Sequence, residues 1–417
     1  MAPVRARITL PGSKSHTARA LVLASLADGP SSLSAPLRAR DTLLMAGALR
    51  ALGVTVADRA DGGWDVVPGP LLGATVDVGL AGTVMRFLPP LAALAHGDVH
   101  FDGDEYARHR PQAVLVDALR QAGVAVDAAP GGALPMTVHG TGAVAGGRLA
   151  IDASASSQFV SGLLLSGARY DKGVEVVHVG AGPVPSATHI AMTVQALAGA
   201  GVAVDTSHPG VWRVAPGPVR AVDVAVEPDL SNAAPFLLAA LLTGGEVSVE
   251  GWPDHTEQPG DLLRDLLARM GGTVDLADGA LTVRGTGTVH GLDVDLRDAG
   301  ELTPVLAAAL AVADSPSVLR GIGHLRGHET DRLRAIADDV AALGGEVTET
   351  DDGLTITPRP LHGAQWRAHS DHRMAQAGAV LGLVVDGLEV DDIACTTKTM
   401  SDFPQRWAAL VGGRAGA

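Results

Sequence analysis

One pattern of apolar and polar positions repeats along this chain. A polar turn leads into an apolar run of helical length at His16–Ala27, Thr83–Ala95, Ser157–Ser166, Asn232–Leu242, Thr303–Ala313 and Arg373–Val384, which predicts six apolar helices. A second marker keeps the same beat: an apolar helix end, a glycine, then β-branched residues. Its copies are Ala51-Leu-Gly-Val-Thr-Val56, Gln121-Ala-Gly-Val-Ala-Val126, Gly199-Ala-Gly-Val-Ala-Val204, Met270-Gly-Gly-Thr-Val274 and Leu343-Gly-Gly-Glu-Val347. Glycine suits a helix C-cap, and valine and threonine suit the strand that follows. A third marker, a strand ending in a Gly or Pro turn, starts at Val66, Val138, Val214, Val283 and Ile356, at spacings of 72, 76, 69 and 73 residues.

Six helices against five complete strand markers leave one marker missing. Thr9-Leu-Pro-Gly12 resembles it, so the last unit is expected to open near His362 and to be completed by the N-terminal strand. Six strand-helix units are too many for one core and divide naturally into two groups of three. The expected fold is therefore α/β in two domains. One covers residues 13–226; the other is discontinuous, 1–12 with 227–417. Chain crossings near Gly12 and Glu227 would form a hinge, and a cleft between the domains is the expected place for a small-molecule site.

Composition narrows the function. Aromatic residues are only 3% and hydrophobic ones 47%, so the core rests on Ala, Val and Leu. A net charge of −15 argues against nucleic acid or an anionic membrane as a general partner, because both need a basic face. The single cysteine, Cys395, excludes an intramolecular disulfide and a cysteine-rich zinc site. No stretch approaches the roughly 20 apolar residues of a membrane helix, and the expected location is the cytoplasm.

An anionic ligand must then meet a local basic cluster. Only Lys14, Lys172 and Lys398 are lysine among 31 basic residues. Lys14 and Lys398 sit in segments that suit anions, where a compact point charge differs from the arginine fork. The helix starts carry further polar chemistry: Gly12-Ser-Lys-Ser15, Ala81-Gly-Thr83, Ser154-Ala-Ser-Ser-Gln158, Asp229-Leu-Ser-Asn232, Gly300-Glu301 and Ser370-Asp-His-Arg373. Free N–H groups there can cradle anions, although each taken singly is also an ordinary N-cap. Common motifs fail. Gly12-Ser-Lys-Ser15 lacks the first glycine of a P-loop, since Ile8 stands there. Gly140-Thr-Gly142, Gly285-Thr-Gly287 and Gly321-Ile-Gly323 have the wrong spacing to their next glycine for a dinucleotide fingerprint. His324, His328 and Glu329, or His369 with His372, have metal-like spacing, but Gly327 breaks the helical frame of the first set, and neighbouring arginines would repel a cation.

Pro11-Gly-Ser-Lys-Ser-His-Thr-Ala-Arg19, Leu80-Ala-Gly-Thr-Val-Met-Arg86, Arg110-Pro111, Ser156-Ser-Gln158, His328-Glu-Thr-Asp-Arg332, Asp371-His-Arg-Met374 and Lys398 together resemble the ordered motifs of the 5-enolpyruvylshikimate-3-phosphate synthase family. The resemblance implies a two-domain inside-out α/β barrel. It also implies transfer of the carboxyvinyl group of phosphoenolpyruvate to the 5-hydroxyl of shikimate-3-phosphate, without a cofactor or metal, by a monomer. By position, Lys14, Ser15, Arg19, Ser156, Ser157, Gln158 and Ser186 match the shikimate-3-phosphate contacts. Lys14, Gly82, Arg110, Gln158, Arg332, Arg373 and Lys398 match the phosphoenolpyruvate site, where Gly82 keeps the small residue associated with glyphosate binding. Glu329 matches the acid that protonates the methylene carbon. Glu301 falls where an Asp is usual as base for the hydroxyl, and His328, where Lys is common, faces shikimate-3-phosphate. Leu80, His189 and His324 also depart from the common pattern. Two alternatives stay open: the sister enzyme acting on UDP-N-acetylglucosamine, whose reactive Cys is absent from Phe101–Pro111, and a non-catalytic ligand-binding protein on the same fold.

Overall fold

In the computed structural model, which describes residues 2–412, contacts divide the chain into two compact units. One is Gly12–Val226; the other joins the residues up to Pro11 with those from Glu227 onward. Met1 and residues 413–417, the ends of the expected discontinuous domain, lie outside the described residues.

The helices of the first unit are α1 (Lys14–Leu26), α2 (Arg40–Ala51), α3 (Gly82–Ala92), α4 (Ala113–Gln121), α5 (Gln158–Gly167) and α6 (Ala187–Gly199). Those of the second are α7 (Ala234–Thr243), α8 (Leu263–Arg269), α9 (Thr303–Leu310), α10 (Arg332–Ala342), α11 (His372–Leu381) and α12 (Phe403–Val411). The six apolar runs become α1, α3 and α5 in one unit and α7, α9 and α11 in the other. Each trio packs on itself and buries nearly every side chain, as helices apolar on all faces must. The sheets lie against these helices by one face. Trp64–Val67 alternates buried and exposed positions, the period of a half-buried strand.

Among the described residues, five four-stranded sheets share one topology, which is the structural content of the repeat. In each, an edge strand runs parallel to its neighbour and two antiparallel strands follow. In the first unit, Val224–Ala225 lies beside Ser31–Ser34, then Trp64–Val67, then Thr55–Asp58. The strands that run into the third marker, such as Trp64–Val67 and Leu354–Thr357, are the third members of their sheets. The second marker supplies the fourth, and its five glycines, Gly53, Gly123, Gly201, Gly271 and Gly344, all have positive φ of 77–99°, the left-handed cap glycine tolerates.

The N-terminal strand corrects one expectation. Arg5–Ile8 does not complete the last unit; it runs parallel to Glu246–Glu250, with Arg5 opposite Glu246, at the edge of the sheet that opens the second unit. Val224–Ala225 takes the equivalent place in the first unit, so the segment ending at each chain crossing satisfies the free edge of an opening sheet. The last unit keeps only Gln365–Trp366 beside Glu389–Val390. Its missing hairpin is replaced by a 3-10 turn, Ile393–Lys398, and by α12, whose Phe403 and Trp407 pack their rings on Phe236 of α7. One expected helix start shifts as well, from Asn232 to Ala234, while α9 starts at Thr303 as expected; 3-10 turns at Leu230–Ala233 and Gly300–Leu302 precede α7 and α9, with Pro235 and Pro304 in the first helical turn.

Candidate active site

In the Gly12–Val226 unit the polar residues gather at the N-termini of α1, α3 and α5. Ser13 caps α1, accepting from the His16 N–H, and Lys14 follows at the first helical position. Lys14 Nζ lies 3.4 Å from Oδ2 of Asp41, a carboxylate that is 2% exposed on α2 and fixes where the ammonium stands.

One turn further along α1, Arg19 is buried. Its Nε donates to Thr193 Oγ1 at 2.8 Å, Nη1 to the Ser15 carbonyl at 2.9 Å and Nη2 to the His189 carbonyl at 2.7 Å. Phe87 lies under the guanidinium. These acceptors are neutral, and burial pushes the Arg19 pKa down to about 9. Three of its five N–H groups are used, so each Nη retains one for an incoming acceptor. His189 takes part through its backbone carbonyl, so the change of side chain at that position leaves this contact intact. Ser156 Oγ accepts from the Gln158 N–H at the start of α5, Ser157 is the buried N-cap residue, and Ser186 enters α6 in left-handed backbone, φ 54°.

A second convergence surrounds Gly82 at the start of α3. A Cβ placed on it would lie 3.1 Å from Gln158 Oε1, 3.3 Å from Arg86 Nη1 and 3.4 Å from Arg110 Nη1. Two guanidinium groups and an amide thus face a spot where only hydrogen stands. Arg110 Nη1 donates to the Leu80 carbonyl at 3.2 Å, which again uses the backbone of an atypical residue, and its buried Nε has no hydrogen-bond partner among the described residues. A buried donor left open beside a helix N-terminus is suited to an anion. Arg86 stands within the motif read from the sequence but received no role there; Asp41 carried no sequence signal.

In the other unit, one connected network joins the predicted residues. Glu329 is gripped from both sides, by Lys398 Nζ at 2.7 Å on Oε1 and Arg332 Nη2 at 3.1 Å on Oε2. Arg332 in turn makes a fork with Asp371, Nε to Oδ2 at 2.7 Å and Nη2 to Oδ1 at 3.1 Å. All four side chains are at most 8% exposed. Burial works against the Arg332 charge, yet Asp371 and Glu329 outweigh it and hold its pKa above the ordinary arginine value. Asp371 also caps α11, accepting from the Arg373 N–H at 2.9 Å.

Arg373 is fixed at its tip. Nη1 meets the Ser231 carbonyl at 2.9 Å, Asn232 Oδ1 at 3.2 Å and Gln376 Oε1 at 3.2 Å, and burial lowers its pKa. Ser231 Oγ donates to Glu301 Oε1 at 3.1 Å, which ties the second carboxylate to the set. His328 Nδ1 is 3.3 Å from Arg332 Nη1, and its ring meets that of His324 edge-on at 5.6 Å between centroids. Burial lowers the His324 pKa against the opposing charge of Glu301, which favours a neutral ring. Glu301, His328, Glu329, Arg332, Arg373 and Lys398, spread over 98 residues of sequence, are therefore linked within one unit. Asp371, Asn232 and Gln376 are the members that sequence reasoning missed. The first two lay inside recognised segments; Gln376 had no signal.

The fold is that of the enolpyruvyl transferases. EPSP synthase from Acinetobacter baumannii superposes with a TM-score of 0.78 at 23% identity over 99% of this chain and 96% of that one. The enolpyruvyl transferase NikO from Streptomyces tendae does so with a TM-score of 0.76 at 18% identity over 98% and 95%. The family model of EPSP synthase (3-phosphoshikimate 1-carboxyvinyltransferase) matches residues 1–407, and the chain belongs to that family. It is a carboxyvinyltransferase of the shikimate pathway with small-molecule substrates. Among the described residues no helix is long and apolar enough to cross a membrane.

Proposed function

We propose that the two residue sets divide the reaction between them. Lys14, Ser15, Arg19, Ser156, Ser157, Gln158 and Ser186 hold shikimate-3-phosphate, hydroxyls and Lys14 on the phosphate and Arg19 on the carboxylate, with His328 contributing from the other set. Gly82, Arg110, Gln158, Lys14, Arg332, Arg373 and Lys398 hold phosphoenolpyruvate, and Arg86 joins them because its Nη1 also approaches Gly82.

The observation that carries this reading is the double grip on Glu329. A cation faces each of its two oxygens. An anion arriving on Lys398 and Arg332 draws their charge away from Glu329, which then takes up a proton and delivers it to the methylene carbon of phosphoenolpyruvate. Protonation makes C2 cationic, and the 5-hydroxyl attacks it while Glu301 accepts the hydroxyl proton. The tetrahedral intermediate has a new C2–O bond and a methyl group. A methyl proton returns to Glu329 as phosphate leaves C2 with the proton held by Glu301, which restores the double bond and both carboxylates. Proton transfer by each carboxylate contributes about 10²–10⁴-fold, and fixed cations around the anionic substrates add electrostatic stabilisation without reorganising. The enzyme acts in the cytoplasm as a monomer in this reading.

The test is phosphate release from phosphoenolpyruvate with no metal added, with shikimate-3-phosphate or UDP-N-acetylglucosamine as acceptor. Release with shikimate-3-phosphate alone, and a loss of about 10²–10⁴-fold in kcat for Glu329→Gln with binding of both substrates retained, supports the assignment. An unimpaired Glu329→Gln enzyme removes Glu329 from the acid role.

A further inference from the structure

We infer that Asp339, a buried carboxylate outside the reacting set, is a positioning residue that holds the phosphoenolpyruvate cations in place through a strained turn. This rests on the assignment of Arg332 and Arg373 to phosphoenolpyruvate. Asp339 lies on α10 with its side chain 0% exposed. Oδ1 accepts from Arg367 Nε at 2.9 Å, and Oδ2 meets His369 Nε2 at 3.0 Å. Burial raises the Asp339 pKa above the ordinary carboxylate value, and Arg367 and His369 are the partners that work against it.

The turn that begins at His369 is not in relaxed backbone. His369 and Ser370 have consecutive positive φ angles, 53° and 55°, and neither is glycine. Left-handed backbone costs conformational energy for a residue with a Cβ, and two in succession persist only where surrounding contacts over-determine them. The contacts are visible on both sides of the turn. Before it, Asp339 holds Arg367 and His369, and Asp391 accepts from the Ala368 N–H at 2.7 Å. After it, Asp371 is held by the Arg332 fork and closes back on the Ala368 carbonyl at 2.8 Å. Asp339 and Arg332 both belong to α10, so one helix clamps the turn at its entrance and at its exit.

The turn decides where two functional cations stand. Asp371 follows it directly, orients Arg332 through two bonds and receives the Arg373 N–H, and α11 starts at that point. If Asp339 lets go, His369 and Ser370 relax towards ordinary φ, Asp371 turns, and the guanidinium groups lose the spacing that the substrate needs. The effect should fall on phosphoenolpyruvate more than on shikimate-3-phosphate, whose arginine, Arg19, belongs to the other unit and which feels Arg332 only through His328.

The experiment uses the full chain with Asp339→Asn, His369→Ala, and His369→Ala combined with Ser370→Gly. Steady-state KM for each substrate is read beside amide exchange over residues 368–374. Asp339→Asn and His369→Ala are expected to raise the phosphoenolpyruvate KM about tenfold, the effect of releasing one strained residue. The KM for shikimate-3-phosphate rises much less, and exchange in the segment quickens. Ser370 is exposed, and glycine there removes the Cβ cost without touching the packing, so the double variant should recover part of the loss. Unchanged exchange and KM in both single variants overturn the inference, as does an equal rise in both KM values or no recovery from glycine. If Asp339→Asn does not fold, the His369 pair of variants decides. If the wild-type chain turns over no phosphoenolpyruvate, the role assignment fails, and the exchange measurements still decide whether Asp339 holds the turn.

Discussion

Replacing Gly82 by alanine tests the anion site most sharply, because the structure separates its effect on binding from its effect on folding. Gly82 begins α3 without a positive φ, so alanine meets no backbone penalty and is the better helix former. The new methyl would stand 3.1–3.4 Å from Gln158 Oε1, Arg86 Nη1 and Arg110 Nη1. Those are tight distances for carbon, and the position is where an oxygen bonded to the two guanidinium groups would sit. A substrate oxygen and a methyl cannot share it, so at least one charge-assisted hydrogen bond is lost or stretched. Such a bond contributes about 1.5–3 kcal/mol, which corresponds to a rise in the phosphoenolpyruvate KM of about 10- to 150-fold. Steady-state kinetics at saturating shikimate-3-phosphate, with thermal unfolding in parallel, provide the assay. The expected result is a raised phosphoenolpyruvate KM with an unchanged shikimate-3-phosphate KM and an unchanged or slightly higher Tm. A variant with the wild-type phosphoenolpyruvate KM would remove Gly82, Arg86 and Arg110 from the substrate's anionic end.

Three further outcomes follow from the same geometry. Asp371→Asn leaves Arg332 buried without its carboxylate fork and should lower unfolding stability by about 3–5 kcal/mol, read by urea denaturation; a loss within error would show that the fork is not what stabilises Arg332. Asn232→Ala removes one acceptor from Arg373 Nη1 and should raise the phosphoenolpyruvate KM about tenfold while leaving the other substrate alone, whereas equal effects on both KM values would argue against a local role. On the surface, Asp98 and Asp127 raise the pKa of His139 between them. Its folded pKa exceeds the unfolded one, so its contribution is complete below the unfolded value and disappears as pH rises through the folded value. The stability advantage of wild type over His139→Gln should therefore be present in acid and vanish in alkaline solution; an advantage that grew with pH would contradict the sign.

Local chemistry made much of this protein legible before any coordinates. A helix apolar on all faces must be buried, a cap glycine must accept positive φ, and a β-branched run after it must extend, so the six helices and the strands that follow the caps could be read in order. The contiguous segments at Lys14–Arg19, Leu80–Arg86, His328–Arg332 and Asp371–Met374 likewise carried their own signal, because a helix start and its neighbouring cations lie within a few residues of one another. What the sequence alone could not decide is which distant edges and side chains meet. The N-terminal strand could pair with any parallel edge, and only packing sets it beside Glu246–Glu250. Asn232 and Arg373 are 141 residues apart, Lys398 and Glu329 are 69 apart, and Asp339 reaches His369 across 30. A hydrogen bond depends on tenths of an ångström between atoms, and spacing along a chain carries no such information. Composition and periodicity thus determined the repeated units and the motifs at their helix starts. The tertiary structure decided that Glu329 stands between two cations and that a strained turn, held from a neighbouring helix, aims the arginines beside it.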